Sequence, residues 1–98
     1  MLVRMVKMTF RADAVEAFKV FFEERKEKIR NFEGCTHLEL WQDNHDQNIF
    51  FTYSNWQDEA ALTHYRNSSF FRDTWQLTRP MFSAKAEAWS VNQLAILP

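Results

Sequence analysis

Cys35, His37 and Glu39 stand at i, i+2 and i+4 in this chain. On an extended strand that spacing places all three side chains on one face. A thiolate, an imidazole and a carboxylate so arranged could hold a metal, or His37 and Glu39 could work as an acid–base pair. The plainer reading is a polar strip inside an oligomer interface, with Arg4 or Lys7 neutralising Glu39. No second His/Cys cluster supplies further ligands, and zinc sites seldom take three ligands from adjacent pleats, so no metal is expected. His45 lies in the turn-rich run Asp43–Asn44–His45–Asp46 and reads as solvated. His64 sits beside Tyr65, and helical periodicity gives Tyr65 the face shared with Ala61 and Leu62. His64 is then exposed, or reaches a pocket only at a helix break. Trp56, Tyr65, Phe71, Trp75 and Trp89 form an aromatic group. Core packing explains such rings, and irregular gaps among them are also where flat ligands bind.

The elements that carry these residues follow from pattern. Leu2–Phe10 alternates as a first strand. Asp13 with Glu16 three residues on reads as a capping box, so a helix should start near Ala14. Its apolar stripe is Val15, Phe18, Phe22 and Ile29, with the Arg25 stem on the same stripe and its guanidinium in water. Gly34, the only glycine, fits a left-handed residue that ends this helix. Thr36–Asp43 and Asn48–Ser54 are the arms of a hairpin. Gln57–Asp58–Glu59 opens a short helix, Ser68 caps a second one that ends near Arg79–Pro80, and Ala86–Ala95 supplies a last strand. The order β-α-β-β-α-α-β is that of a ferredoxin-like split βαβ fold, class α+β, with a four-stranded antiparallel sheet and its second helix broken in two. Residues 1–98 are expected to form a single domain.

Composition narrows the function. The chain has 98 residues, 46% hydrophobic and 16% aromatic, with a net charge of −1. It is too apolar for disorder and too neutral for binding nucleic acid through phosphates. Its apolar runs fall far short of a membrane span, and the N-terminus lacks the pattern of a signal peptide. One cysteine cannot make an internal disulfide, so the cytoplasm is the expected compartment. No nucleophile elbow, GxGxxG, P-loop or CxxC is present. No bound cofactor is expected: flavin and nicotinamide have no familiar motif here.

Both faces of the sheet carry large side chains. Ile49, Phe51 and Tyr53 alternate with Phe50 and Thr52, and Leu38 and Leu40 alternate with His37, Glu39 and Trp41. In this topology helices cover only one face, so the other needs a second cover, most simply an identical sheet. A homodimer is expected.

The run Thr52–Tyr53–Ser54–Asn55–Trp56 into Glu59–Ala60–Ala61–Leu62, followed by the Asn67–Ser68–Ser69 break and aromatic Phe70, Phe71 and Trp75, resembles the antibiotic biosynthesis monooxygenase (ABM) family of dimeric α+β barrels. The resemblance spans Leu2 to about Leu94. It implies a cofactor-independent monooxygenase acting on a small aromatic, quinol or polyketide-like, whose own carbanion or phenolate reduces oxygen in a water-poor cavity. The polyketide branch has an asparagine four residues before the tryptophan, where this chain has Thr52. Quinol-oxidising relatives carry a histidine two residues after the helix Ala-Leu pair, where His64 stands. The haem-degrading branch would use the positions of Val6, Tyr65 and Trp75, and its ligating histidine is absent here. The candidates for proton handling are therefore His64, Thr52, Tyr53, His37 and Tyr65, with Trp56, Phe71, Trp75 and Trp89 as substrate pocket. A non-catalytic dimeric binding module of the same fold is the alternative.

Overall fold

Strands Leu2–Thr9 (β1), Cys35–Gln42 (β2), Ile49–Trp56 (β3) and Glu87–Asn92 (β4) make one antiparallel sheet in the order β2-β3-β1-β4. These assignments come from a computed structural model that describes residues 1–98. Helix α1 (Val15–Arg30) joins β1 to β2, while α2 (Glu59–Arg66) and α3 (Ser69–Thr78) lie between β3 and β4. This is the α+β, ferredoxin-like arrangement expected from the sequence, with its second helix broken.

The break between α2 and α3 is built by one hydroxyl. Ser68 Oγ accepts from the Phe71 amide at 3.1 Å and donates to the Tyr65 carbonyl at 2.6 Å. It thus satisfies an orphan donor of α3 and adds a second hydrogen bond to the Tyr65 carbonyl, which also accepts from the Ser68 amide at 3.0 Å. Asp58 caps α2 by accepting from the Ala61 amide at 2.8 Å. The start of α1 differs from the capping box expected at Asp13 and Glu16. A 3-10 turn, Ala12–Ala14, leads into the helix without a side-chain cap, and Asp13 meets Arg11 at 3.6 Å instead. Gly34 has a φ of +87°, the left-handed region, yet it does not cap α1. Asn31 does that, donating to the Glu27 carbonyl at 2.9 Å. Gly34 instead lets the turn after α1 pass against Ala61 of α2, where any Cβ would overlap the alanine methyl.

Two buried clusters hold the helices to the sheet. Met8, Phe10, Val15, Phe18 and Phe50 form one, with Phe10 and Phe18 stacked at 4.1 Å. Cys35, Trp56, Leu62 and Tyr65 form the other. Each fully buried ring contributes about 1.5–3 kcal/mol by leaving water, and a well-placed pair adds about 0.5–1.5. Arg25 departs from the expectation that its guanidinium sits in water. It crosses to α3, donating to Asp73 Oδ2 at 2.9 Å and Thr74 Oγ1 at 2.8 Å.

The pleat separates two populations of side chains. Arg4, Val6, Met8, Thr52, Ser54 and Trp56 face the helices. Met5, Phe51, Tyr53, Trp89 and Val91 face away, with Met5 opposite Tyr53 on one side and Trp89 on the other. On that open face Trp41, Trp89 and Val91 are 40%, 46% and 46% exposed.

Candidate functional site

Between the helix-facing side of the sheet and the three helices lies a cavity of about 270 Å³. Its floor comes from β1 and β3, through Arg4, Val6, Thr52, Ser54 and Trp56, because alternate residues of a strand share a face. Its walls are aromatic. Trp56 and Tyr65 stack at 4.8 Å, Phe71 meets Tyr65 edge-on at 5.1 Å, and Trp75 lies parallel to Phe71 at 6.1 Å. Exposed Arg66 and Ala88 stand at its solvent side. Trp56 is 1% exposed, and its indole N–H donates to Ser54 Oγ at 3.0 Å, which fixes the ring plane.

Of the polar groups anticipated, Thr52 and Tyr65 line the cavity. None of its lining side chains is Asp, Glu or His. Burial, with a smaller effect of Cys35, pushes the Tyr65 phenol well above its ordinary range, so its hydroxyl stays protonated. Arg25 is already satisfied by Asp73 and Thr74. Arg4 donates only to the neutral Ser90 Oγ, at 2.9 Å. Burial, and then the positive charge of Arg66, lower the Arg4 guanidinium from its ordinary value. Neither Arg4 nor Arg66 meets a carboxylate.

The residues singled out from the sequence fall into three places. Thr52, Trp56, Tyr65, Phe71 and Trp75 converge on the cavity. His64 does not. It is exposed on α2 with its ring 5.8 Å from Phe32, because Leu62 and Tyr65 take the inward stripe. Tyr53, His37 and Trp89 lie on the opposite face of the sheet, where the pleat separates Tyr53 from its neighbour Thr52 and the β1 register pairs Trp89 with Met5. Trp89 is therefore no part of the cavity wall.

The Cys35–His37–Glu39 trio is also divided. A register shift between Cys35 and His37 interrupts the alternation, as a β-bulge does. Cys35 turns inward to Trp56, Leu62 and Tyr65, and burial raises its thiol pKa. No three His, Cys, Asp or Glu side chains come together in a metal-holding group. His37 Nε2 and Glu39 Oε2 are 2.5 Å apart, and Trp41 Nε1 donates to Glu39 Oε1 at 2.8 Å. These hydrogen bonds hold the Glu39 carboxyl below the ordinary glutamate range. Neither Arg4 nor Lys7 neutralises it: Arg4 faces the helices and Lys7 pairs with Glu87 at 3.8 Å.

Arg4, Ser54 and Arg66 were not anticipated as site residues. A signal for the arginines exists in the pattern. Arg4 alternates with Val6 and Met8 on the inward face of β1, and Arg66, though exposed, lies four residues after Leu62 at the edge of the face that α2 turns to the cavity.

The antibiotic biosynthesis monooxygenase family profile matches residues 1–76. Among solved structures, one described as an antibiotic biosynthesis monooxygenase superposes with a TM-score of 0.89 at 20% identity, covering 97% of this chain and 100% of that one. A protein from Pseudomonas aeruginosa gives 0.84 at 23% identity over 96% and 94% of the two chains. A conserved protein from Methanosarcina mazei gives 0.87 at 20% identity over 95% and 93%. At these identities the structures speak for the fold alone. No curated protein matches the sequence. With the family profile extending from the first strand into α3, the chain belongs to the antibiotic biosynthesis monooxygenase family.

Proposed function

We propose that residues 1–98 form a single ABM unit that acts, as a homodimer and without a bound organic cofactor, as a monooxygenase of a small quinol or polyketide-like aromatic. The observation that carries this reading is the cavity beside Trp56: aromatic walls, about 270 Å³, and inward hydroxyls from Thr52, Ser54 and Tyr65. That volume suits one or two fused rings, near the lower edge of the roughly 300–1,000 Å³ usual for small-molecule sites.

In the proposed reaction Thr52 and Tyr65 donate hydrogen bonds to the phenolate oxygen of the substrate. Its proton leaves to water at the cavity mouth, since the walls hold no carboxylate or imidazole. The electron-rich ring then reduces oxygen held against it, and the apolar walls keep bulk water from the intermediate. A quinol and O2 give a hydroxyquinone and water. One oxygen atom stays on the ring, the other leaves as water, and the quinol supplies all the electrons.

Support for the dimer comes from the open face. Trp41, Trp89 and Val91 are exposed there beside Met5 and Phe51, and Leu94, Ile96 and Leu97 add an exposed apolar tail. Asn55 Oδ1, on the same strand face as Tyr53, is buried without a donor. A second sheet would cover this apolar surface, which a lone chain leaves in water. No helix is long and apolar enough to cross a membrane. A cytoplasmic location is consistent with a single unpaired, buried thiol.

Oxygen-electrode measurements with a panel of quinols test the activity. Uptake is expected with at least one, and Thr52→Val and Tyr65→Phe should each lower kcat by about a hundredfold to a thousandfold, the loss typical of one transition-state donor. Failure of the wild type to consume oxygen on any of them would overturn the oxygenase reading. The missing carboxylate and imidazole favour a second reading, a non-catalytic module whose cavity binds an aromatic without turnover.

A further inference from the structure

The chain has 13 acidic residues against 12 basic ones, yet none of the acids lines the cavity while three arginines do. Asp73 neutralises Arg25 from outside. Arg4 and Arg66 are left as two guanidiniums near one space, with no countercharge from the protein. Arg4 is half-buried, and a charge so placed without a partner is costly; the exposed Arg66 at the mouth of the same space adds like-charge repulsion. A fold that keeps them there gains the lost energy back when an anion arrives. The guanidinium is suited to that task, because its planar fork matches both oxygens of a carboxylate. Arg4 rises from the sheet floor next to Ser54 and Trp56, and Arg66 reaches in from the end of α2, one residue after Tyr65. The anion site therefore adjoins the aromatic walls.

We propose that the ligand of this cavity is an aromatic carboxylate, its acid group held between Arg4 and Arg66 and its ring against Trp56, Tyr65, Phe71 and Trp75. The proposal rests on the reading of the cavity as the ligand site and adds the charge of the ligand to it. The arginines then act as an orienting clamp: they fix which edge of the ring lies deep, beside Thr52, and which lies at the mouth.

Calorimetric titration of the full chain with 2-naphthoate, 2-naphthamide and inorganic phosphate tests it. The amide has the shape of the acid without its charge, and phosphate has charge without the ring. Naphthoate should bind at least tenfold tighter than either. Arg66→Gln should erase that preference by weakening naphthoate tenfold to a hundredfold while leaving naphthamide unchanged. Arg66→Lys should recover only part of it, and Arg72→Gln, on the outer side of α3, should leave it intact. Arg66 is exposed, so its replacement spares the fold; Arg4→Gln should show the same loss of preference. If naphthoate and naphthamide bind equally in the wild type, the cavity remains a ligand site and the anionic class is refuted. If neither binds, both readings fall. If phosphate binds as tightly as naphthoate, the ring contributes nothing and the proposal is overturned.

Discussion

Replacing Gly34 by alanine tests how α2, and with it one wall of the cavity, is seated. The backbone at Gly34 has a φ of +87°, where an L side chain costs about 1–2 kcal/mol. The new Cβ would also overlap the Ala61 Cβ of α2, and overpacking of this kind costs about 1–3 kcal/mol. The two sum to about 2–5 kcal/mol, a large part of the roughly 5–15 kcal/mol that holds a domain of this size. Urea unfolding at fixed protein concentration should show the midpoint falling by roughly 1–5 M, given a slope near 1–1.5 kcal/mol per M. The two causes separate in a double-mutant cycle. Ala61→Gly alone should cost about 0.5–1 kcal/mol as a helix glycine. In the background of Gly34→Ala it should instead be stabilising, with a coupling of about 1–3 kcal/mol, because it removes the overlap but not the strain. Because Ala61 lies one residue before Leu62 and four before Tyr65, a displaced α2 also moves the cavity wall. A Gly34→Ala protein that unfolds within 0.5 M of the wild type, or an additive cycle, would refute the close approach and the placement of α2 that depends on it.

Two further outcomes follow from residues on opposite faces of the sheet. Trp89→Glu puts a charge in the middle of the open face and should shift the protein, by light scattering, from a mass of about twice 11.8 kDa to a monomer; an unchanged dimer would place the partner elsewhere. Tyr65 has a phenol pKa raised by burial, so its stabilising protonated form is intact below the unfolded value of about 10 and is lost as pH rises through the folded value. Tyr65→Phe should therefore flatten the fall in stability above about pH 10, measured by urea midpoints across the alkaline range, and an unchanged slope would mean that Tyr65 is not buried as described.

The sheet was largely legible because alternation is a strong signal: the pattern separates Phe50 and Thr52 from Phe51 and Tyr53, but which set meets the helices is visible only in the fold, where Thr52, Ser54 and Trp56 face the cavity and Tyr53 does not. The site was only half legible. Trp56, Tyr65, Phe71 and Trp75 could be grouped because a tryptophan at a strand end and rings at helical spacing must share one core. Trp89 could not be placed, since the face of β4 depends on its register with β1, which its short run does not encode. The trio at Cys35 was misread for a related reason. A single extra residue at a bulge reverses the facing of everything before it, and no residue type there announces it. The start of α1 shows the same limit at a helix end, where Asp13 found Arg11 rather than the backbone.

The charges were the least legible part, and they decide the most. The expectation that Arg4 or Lys7 neutralises Glu39 fails for Arg4 because Glu39 lies on the other side of the sheet, and the strand pattern contains the objection: Arg4 keeps step with Val6 and Met8. An arginine in an inward register is either paired or waiting for a partner. No carboxylate meets it here: Glu39 bonds His37 and Trp41, Asp73 bonds Arg25, and Glu87 pairs with Lys7. Consecutive residues of β3 then serve two different ends, Thr52 facing a cavity with unsatisfied positive charge and Tyr53 facing an apolar surface stacked with Trp41 at 5.1 Å. One strand thus links a face that lacks an anion to a face that lacks a cover. The chain's own helices all lie on the cavity side and leave the other face open, and their carboxylates leave Arg4 and Arg66 unpaired; the proposed acidic ligand and the proposed second sheet would each supply what one face lacks.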